Sequence, residues 1–214
     1  MVNHPRHLDR QSIRLPGYSY ADPGAYFVTI CTEGRVPLLG QVAHEAVIKS
    51  FAGTMVNTAW QALPSEFPHI GLDAFVIMPN HVHGILWIMP SAIPAEHRGD
   101  GDRPTGTVAG SLSRVVQAFK SRTTNQYIQG VRAASWPAFN RRLWQRNYFE
   151  HVIRSHRALQ LIREYIVTNP QRWNDDAENL LGSRRDDYKA WAAHLVEPET
   201  GRRQASPLQK DGHP

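Results

Sequence analysis

The sequence predicts an α+β fold: a ferredoxin-like antiparallel sheet with helices on one face, followed by a C-terminal helix. Three observations carry this. Runs rich in β-branched and aromatic residues occur at 25–32, about 70–78, about 81–89 and 143–153. Apolar residues at three- and four-residue steps mark helices between the first and second runs, between the third and fourth, and after the fourth. The resulting order is strand, helix, strand, strand, helix, strand, helix, and its first six members form the β-α-β-β-α-β succession of that sandwich.

Each element has its own grounds. The first strand is AYFVTICT. From Ala43 to about Leu63, Val47, Ile48, Phe51, Met55, Val56 and Trp60 trace a helical face, and Pro64 and Pro68 end it. IGLDAFVIM and HVHGILWIM flank Pro79-Asn80, a turn signal, and read as a hairpin. Residues 90–108 are dense in proline, glycine and charge and are expected to form a flexible insertion. Ser111 is placed to cap a helix through about Ile128, with Leu112, Val115, Val116 and Phe119 on its apolar side. LWQRNYFEHVI then supplies the fourth strand, and 156–169 a helix stopped by Pro170. The expected organisation is a basic arm over 1–24, one domain over 25–173, and a partly disordered extension over 174–214.

Composition narrows the function classes. With 24 lysines and arginines against 19 acids, the net charge of +5 favours a polyanionic partner. Cys31 is the single cysteine, so an internal disulfide and a cysteine zinc cluster are both excluded, and it is expected to be a buried packing residue. No signal peptide or membrane-spanning run is evident, so a soluble cytoplasmic protein without a membrane partner is expected.

The stretch MPNHVHGILW carries the chemistry. Side chains at i and i+2 of a strand share a face, so His81 and His83 project together. Ordinary sheet-surface histidines are the plain alternative, but the neighbours Phe75, Val76, Ile77, Ile85, Leu86 and Trp87 are apolar. Two imidazoles in such surroundings cost free energy unless they are paired or metallated. On the last helix, Tyr165 and Asn169 lie one turn apart. From the residues alone, a core-edge aromatic and a helix-terminal asparagine remain open readings for these two.

Taken together, FVIMPNHVHGILWI, AFKSRTTNQ, LWQRNYFEHVIRS and LIREYIVTNPQRW resemble the single-tyrosine transposases of the His-hydrophobic-His endonuclease superfamily, and within it the REP-associated tyrosine transposases, over about residues 10–173. The resemblance implies that His81 and His83 bind a divalent metal, Mg²⁺ or Mn²⁺, that Asn169 stands where the family has a polar third ligand, and that Tyr165 is the nucleophile. It implies cleavage and strand transfer on single-stranded or hairpin DNA through a 5′-phosphotyrosine bond, by a protein that works as a monomer. Tyr148 is the competing nucleophile, on a strand and without a polar partner at helical spacing. Arg114, Lys120, Arg122, Arg141, Arg142 and Arg146, interleaved with Trp144, suit the DNA, with Arg6, Arg10 and Arg14 of the arm as further contacts. Two other functions stay open: a phosphodiesterase that uses water, and a hairpin-binding protein that has lost cleavage.

Overall fold

The computed structural model describes residues 19–90, 110–182 and 208. Strands β1 (Gly24–Cys31), β4 (Ile70–Ile77), β5 (His81–Ile88) and β6 (Phe149–Ile153) form an antiparallel sheet in the order β4-β5-β1-β6. This is the expected α+β sandwich. Among the described residues no helix is long and apolar enough to cross a membrane.

Register divides the sheet into two faces. Tyr26, Val28 and Ile30 oppose Leu86, Gly84 and Val82, and this set joins the larger core under helices α1 (Phe51–Gln61) and α3 (Leu112–Ala134). Ala25, Phe27 and Thr29 oppose Trp87, Ile85 and His83, and they turn to the other face. Helix α4 (His156–Thr168) covers that second face through Ala158, Leu159, Ile162, Tyr165 and Ile166. Ser50, Ser111 and Ser155 cap α1, α3 and α4 by accepting from the backbone N–H three residues on. The remaining short helix, α2, spans Leu63–Glu66.

The structure corrects two of the expected elements. The expected helix over 43–63 begins only at Phe51, because a hairpin, β2 (Gly40–Ala43) and β3 (Ala46–Lys49), precedes it. Val47 and Ile48 therefore belong to a strand. The hairpin turns on His44 and Glu45, both at positive φ (50° and 61°), a geometry that asparagine and glycine usually announce. The expected strand over 143–153 is regular only from Phe149. Upstream, the Lys120 ammonium draws in the carbonyls of Gln145 and Asn147 at 3.0 and 3.1 Å, while Leu143 and Trp144 turn into the core. An isolated bridge, Thr32 to Trp144, the Glu33 N–H on the Leu143 carbonyl and the Gln145 N–H on the Cys31 carbonyl hold that stretch to the end of β1 and the residues after it.

Smaller differences concern helix ends. Helix α3 continues six residues past 128 to Ala134, and the chain beyond α4 runs on as a 3₁₀ turn, Asn169–Arg172, which contains Pro170. Most of the basic arm, the 90–108 insertion and the extension beyond 182 lie outside the described residues. Leu208 is the exception: its N–H donates to Ile153 and its carbonyl accepts from Ala25, at the shared end of β1 and β6.

Gly84 makes the α1 packing possible. A Cβ there would lie 2.4 Å from Trp60 Cζ2, and Trp60 stacks on Phe75 with centroids 4.4 Å apart. Gly84→Ala is expected to lower stability by about 1–3 kcal/mol, as overpacking of a filled core does, measurable as a reduced urea midpoint with an unchanged m-value.

Candidate metal and nucleophile site

His81 and His83 open β5 on the face that α4 covers. Both are buried (0% and 2% exposed), and their Nε2 atoms are 2.9 Å apart. Burial brings each imidazole down to about 3, with Arg35 adding to the effect at His81 and His81 adding to it at His83, so both are neutral at physiological pH. Neutral imidazole is the form that ligates a metal.

Partners hold each ring from behind. His83 Nδ1 lies 2.8 Å from Thr29 Oγ1, its cross-strand neighbour in register, and the ring stacks on Phe27 at 5.4 Å. His81 Nδ1 lies 2.8 Å from Asn80 Oδ1. The Asn80 amide donates to the carbonyls of Arg35 (3.1 Å) and Glu178 (2.8 Å), and both acceptors fix its orientation with the oxygen toward the imidazole.

The chain after α4 folds back over the pair and brings a residue that sequence reasoning missed. Asp176, 2% exposed, places Oδ2 3.7 Å from His81 Nε2, and the ligand atoms of His81, His83 and Asp176 all lie within 4.8 Å of one another. Burial raises the Asp176 pKa, opposed by the nearby His83 and by a backbone N–H bond from Glu178. The segment is held by the Arg35–Glu178 ion pair and by the Asn179 amide on the Trp173 carbonyl. Nothing in the periodicity marks Asp176; the acidic pair Asp175-Asp176 was the one signal available, in a stretch assigned to the extension.

Of the expected site residues, the structure brings Tyr165 and Asn169 to the histidines. The Tyr165 ring stands 5.3 Å from that of His83, edge-on, and the Arg172 guanidinium lies over it at 5.7 Å. Asn169, the first residue of the 3₁₀ turn, is buried beside Asp176, whose charge it helps to hold. Neither of its amide atoms, nor Asp176 Oδ2, completes a hydrogen bond of full geometry among the described residues. Buried polar atoms left in this condition cost free energy, and a cation would satisfy the two oxygens, Asn169 Oδ1 and Asp176 Oδ2.

The donor set fits a hard or borderline divalent ion. Two nitrogens at adjacent corners of an octahedron with bonds of about 2.1 Å are about 3.0 Å apart, against about 3.4 Å in a tetrahedron. The observed 2.9 Å matches the octahedral edge and is equally a hydrogen-bond length. Imidazole nitrogen with carboxylate and carboxamide oxygen suits Mg²⁺ or Mn²⁺, with Mn²⁺ the better match to imidazole.

A second cluster anchors α4. Arg163 makes a two-pronged pair with Asp73 (2.8 and 2.7 Å), which also accepts from Trp87 Nε1 at 2.9 Å. Burial pushes the Asp73 pKa up, but these bonds outweigh it and leave it lowered. Asp73 sits where the β4–β5 register shifts between Leu72 and Phe75. Since Arg163 is two residues before Tyr165, this clamp sets how α4 is turned on the sheet.

The other expected residues lie elsewhere. Tyr148 packs against the α1/α3 core, with its hydroxyl 3.4 Å from Ser113 Oγ, and so belongs to the opposite side of the sheet from the histidines. Trp144 is 3% exposed and its indole N–H bonds Thr123 Oγ1 at 2.8 Å, so its ring is not a surface for stacking bases. Lys120 is occupied by backbone carbonyls, and burial lowers its pKa to about 8. Arg122 pairs with Glu66. Arg114, Arg141, Arg142 and Arg146 are exposed. Cys31 is buried, as expected, with its pKa raised by burial and then by Glu178.

No protein-family model matches the chain. An uncharacterized protein of Haemophilus influenzae (strain ATCC 51907 / DSM 11121 / KW20 / Rd) is 35% identical over 175 residues, which cover 78% of this chain and 91% of that protein. The chain belongs to the family of that protein. Among solved structures it is similar to a REP-associated tyrosine transposase bound to a REP hairpin, with 16% identity, 94% of this chain and 99% of that one covered, and a TM-score of 0.49. A Deinococcus radiodurans R1 protein provisionally described as a transposase is 16% identical, with 73% and 96% covered and a TM-score of 0.39.

The buried histidines imply a pH dependence. Their native pKa values lie below the unfolded value of about 6.5, so the unfolded chain takes up protons first as pH falls. Stability from this source is complete above pH 6.5 and declines as pH falls toward 3, by up to about 1.4 kcal/mol per pH unit for each ring. His151, lowered to about 4 by burial, adds to the decline, and Asp176 opposes it. Urea midpoints of the metal-free protein are expected to drop steeply between pH 6.5 and 4.5, and less steeply in a His81→Gln/His83→Gln variant.

Proposed function

We propose that the chain is a metal-dependent single-strand DNA endonuclease and strand transferase of the single-tyrosine His-hydrophobic-His class, acting on hairpin DNA through a covalent 5′-phosphotyrosine intermediate. The observation that carries the reading is the convergence, on one buried face, of His81 Nε2 and His83 Nε2 at 2.9 Å with the Tyr165 ring 5.3 Å from His83. The motifs quoted from the sequence and the exposed Arg114, Arg141, Arg142 and Arg146 support it.

In this reading His81, His83 and Asp176, with Asn169 beside them, hold a divalent ion, Mg²⁺ or Mn²⁺. When bound, the ion draws charge from the non-bridging phosphate oxygens and orients the phosphorus. Tyr165 supplies the nucleophile. Its phenolic oxygen forms a bond to phosphorus, the bond from phosphorus to the 3′-oxygen breaks, and the phenolic proton is balanced by protonation of the released 3′-hydroxyl. One ester replaces another, so a 3′-hydroxyl can attack the phosphotyrosine and reseal a strand without a nucleotide cofactor. Phe27, edge-on to Tyr165 at 6.2 Å, and the Arg163–Asp73 clamp hold the phenol over His83. Arg172 places a positive charge over the ring where phenolate character develops. The exposed arginines provide sequence-independent phosphate contacts. A monomer in the cytoplasm, reaching DNA directly, completes the reading.

The test uses end-labelled single-stranded hairpin DNA with Mn²⁺. Tyr165→Phe is expected to reduce cleavage by at least about a thousandfold, as loss of a nucleophile does, and to leave hairpin binding intact. Tyr148→Phe is expected to cleave normally. Undiminished cleavage by Tyr165→Phe would replace the transposase with a hydrolase that uses water. Binding without cleavage by the parent protein across a panel of hairpins would leave a DNA-binding protein.

A further inference from the structure

The hydrogen bonds behind the two histidines constrain which ring nitrogen carries the proton. Asn80 Nδ2 faces two carbonyls, so Asn80 Oδ1 must accept, and His81 Nδ1 must carry its hydrogen. A neutral imidazole has one N–H. His81 Nε2 therefore presents a lone pair toward His83 Nε2, 2.9 Å away. In the metal-free protein the only complementary arrangement has His83 Nε2–H donating to His81 and His83 Nδ1 accepting from the Thr29 hydroxyl at 2.8 Å.

A metal requires both Nε2 lone pairs. His83 must then carry its proton on Nδ1, and Thr29 Oγ1 must turn from donor to acceptor. A hydroxyl does both at one position, because it has one hydrogen and two lone pairs and rotates. Thr29 is 5% exposed and fixed opposite His83 by strand register, so the exchange needs no movement of the backbone. No net proton is taken up: the ring is neutral before and after.

We propose that Asn80 and Thr29 are positioning residues of the metal site. Asn80 locks His81 in the ligating tautomer, and Thr29 is a reversible partner that lets His83 exchange tautomers on metal binding without leaving a buried nitrogen unpaired. This rests on the metal reading above and adds the two residues that control it. The need for a hydroxyl at 29 also explains why a polar residue occupies an otherwise apolar strand between Val28 and Ile30.

The test combines two measurements on the full chain. Long-range ¹H–¹⁵N spectra of the histidine rings are expected to show Nδ1–H for His81 and Nε2–H for His83 without metal, and Nδ1–H for both with Zn²⁺ as a diamagnetic probe. Manganese affinity, followed by the electron paramagnetic resonance of free Mn²⁺, is expected to fall about 10–100-fold in Thr29→Val, in line with loss of an outer partner, and to stay within about threefold of the parent in Thr29→Ser. A conformational defect would not separate these two variants by hydroxyl alone. Equal Mn²⁺ affinity in the parent and Thr29→Val, or Nδ1–H on His83 before metal is added, would overturn the inference while leaving the metal site standing. Absence of Mn²⁺ binding by the parent would overturn the metal reading and this inference with it.

Discussion

Two uncharged imidazoles sealed into an apolar sheet face are the constraint on which the rest of the site depends. Left without partners, each would carry a desolvation penalty of a few kcal/mol. The chain surrounds them instead with matched polar groups: Thr29 behind one, Asn80 behind the other, and Asp176 across from their Nε2 atoms with Asn169 beside it. Asn80 in turn ties down the backbone of Arg35 and Glu178, so the strap carrying Asp176 is fastened by the same residue that orients His81. Side-chain tautomer, loop position and ligand geometry are thus coupled through one buried amide.

The sheet separates support from chemistry. Its α1/α3 face is a packed aromatic and aliphatic core, in which Trp60 contacts both Phe75 and Phe119, and Phe119 contacts Trp144. Its α4 face holds the histidines, with Tyr165 suspended above them on a helix whose rotation is set by Arg163 and Asp73. The clamp lies two residues from Tyr165, on the same turn of the helix. In the proposed reaction, pre-organisation of this kind would lower the barrier by placing the Tyr165 phenol before the substrate arrives.

How much of this could be read from the residues depended on whether the signal was local. The His-x-His spacing on an apolar strand and the Tyr165–Asn169 turn are local patterns, and the structure brings all four residues to one place. The α+β sandwich followed from the succession of elements. The β2–β3 hairpin was hidden because His44 and Glu45 adopt positive φ without a glycine or asparagine, and because Val47 and Ile48 happen to continue a helical spacing. Asp176 was hidden for a different reason: it reaches the histidines through a loop that Glu178 fastens to Arg35, a contact far apart in sequence, and that Asn179 closes on Trp173. Trp144 and Lys120 resembled nucleic-acid contacts by composition, yet tertiary packing turns the indole inward and spends the ammonium on backbone carbonyls.

The central claim is that Tyr165 forms a covalent bond to DNA beside the histidine pair. Peptide mass spectrometry after incubation with single-stranded hairpin DNA and Mn²⁺ tests it most directly, because trypsin separates the two candidate tyrosines: Tyr165 lies in EYIVTNPQR and Tyr148 in NYFEHVIR. The account predicts a nucleotide-modified EYIVTNPQR with NYFEHVIR unmodified. Modification of NYFEHVIR, or cleaved DNA with both peptides unmodified, would contradict it.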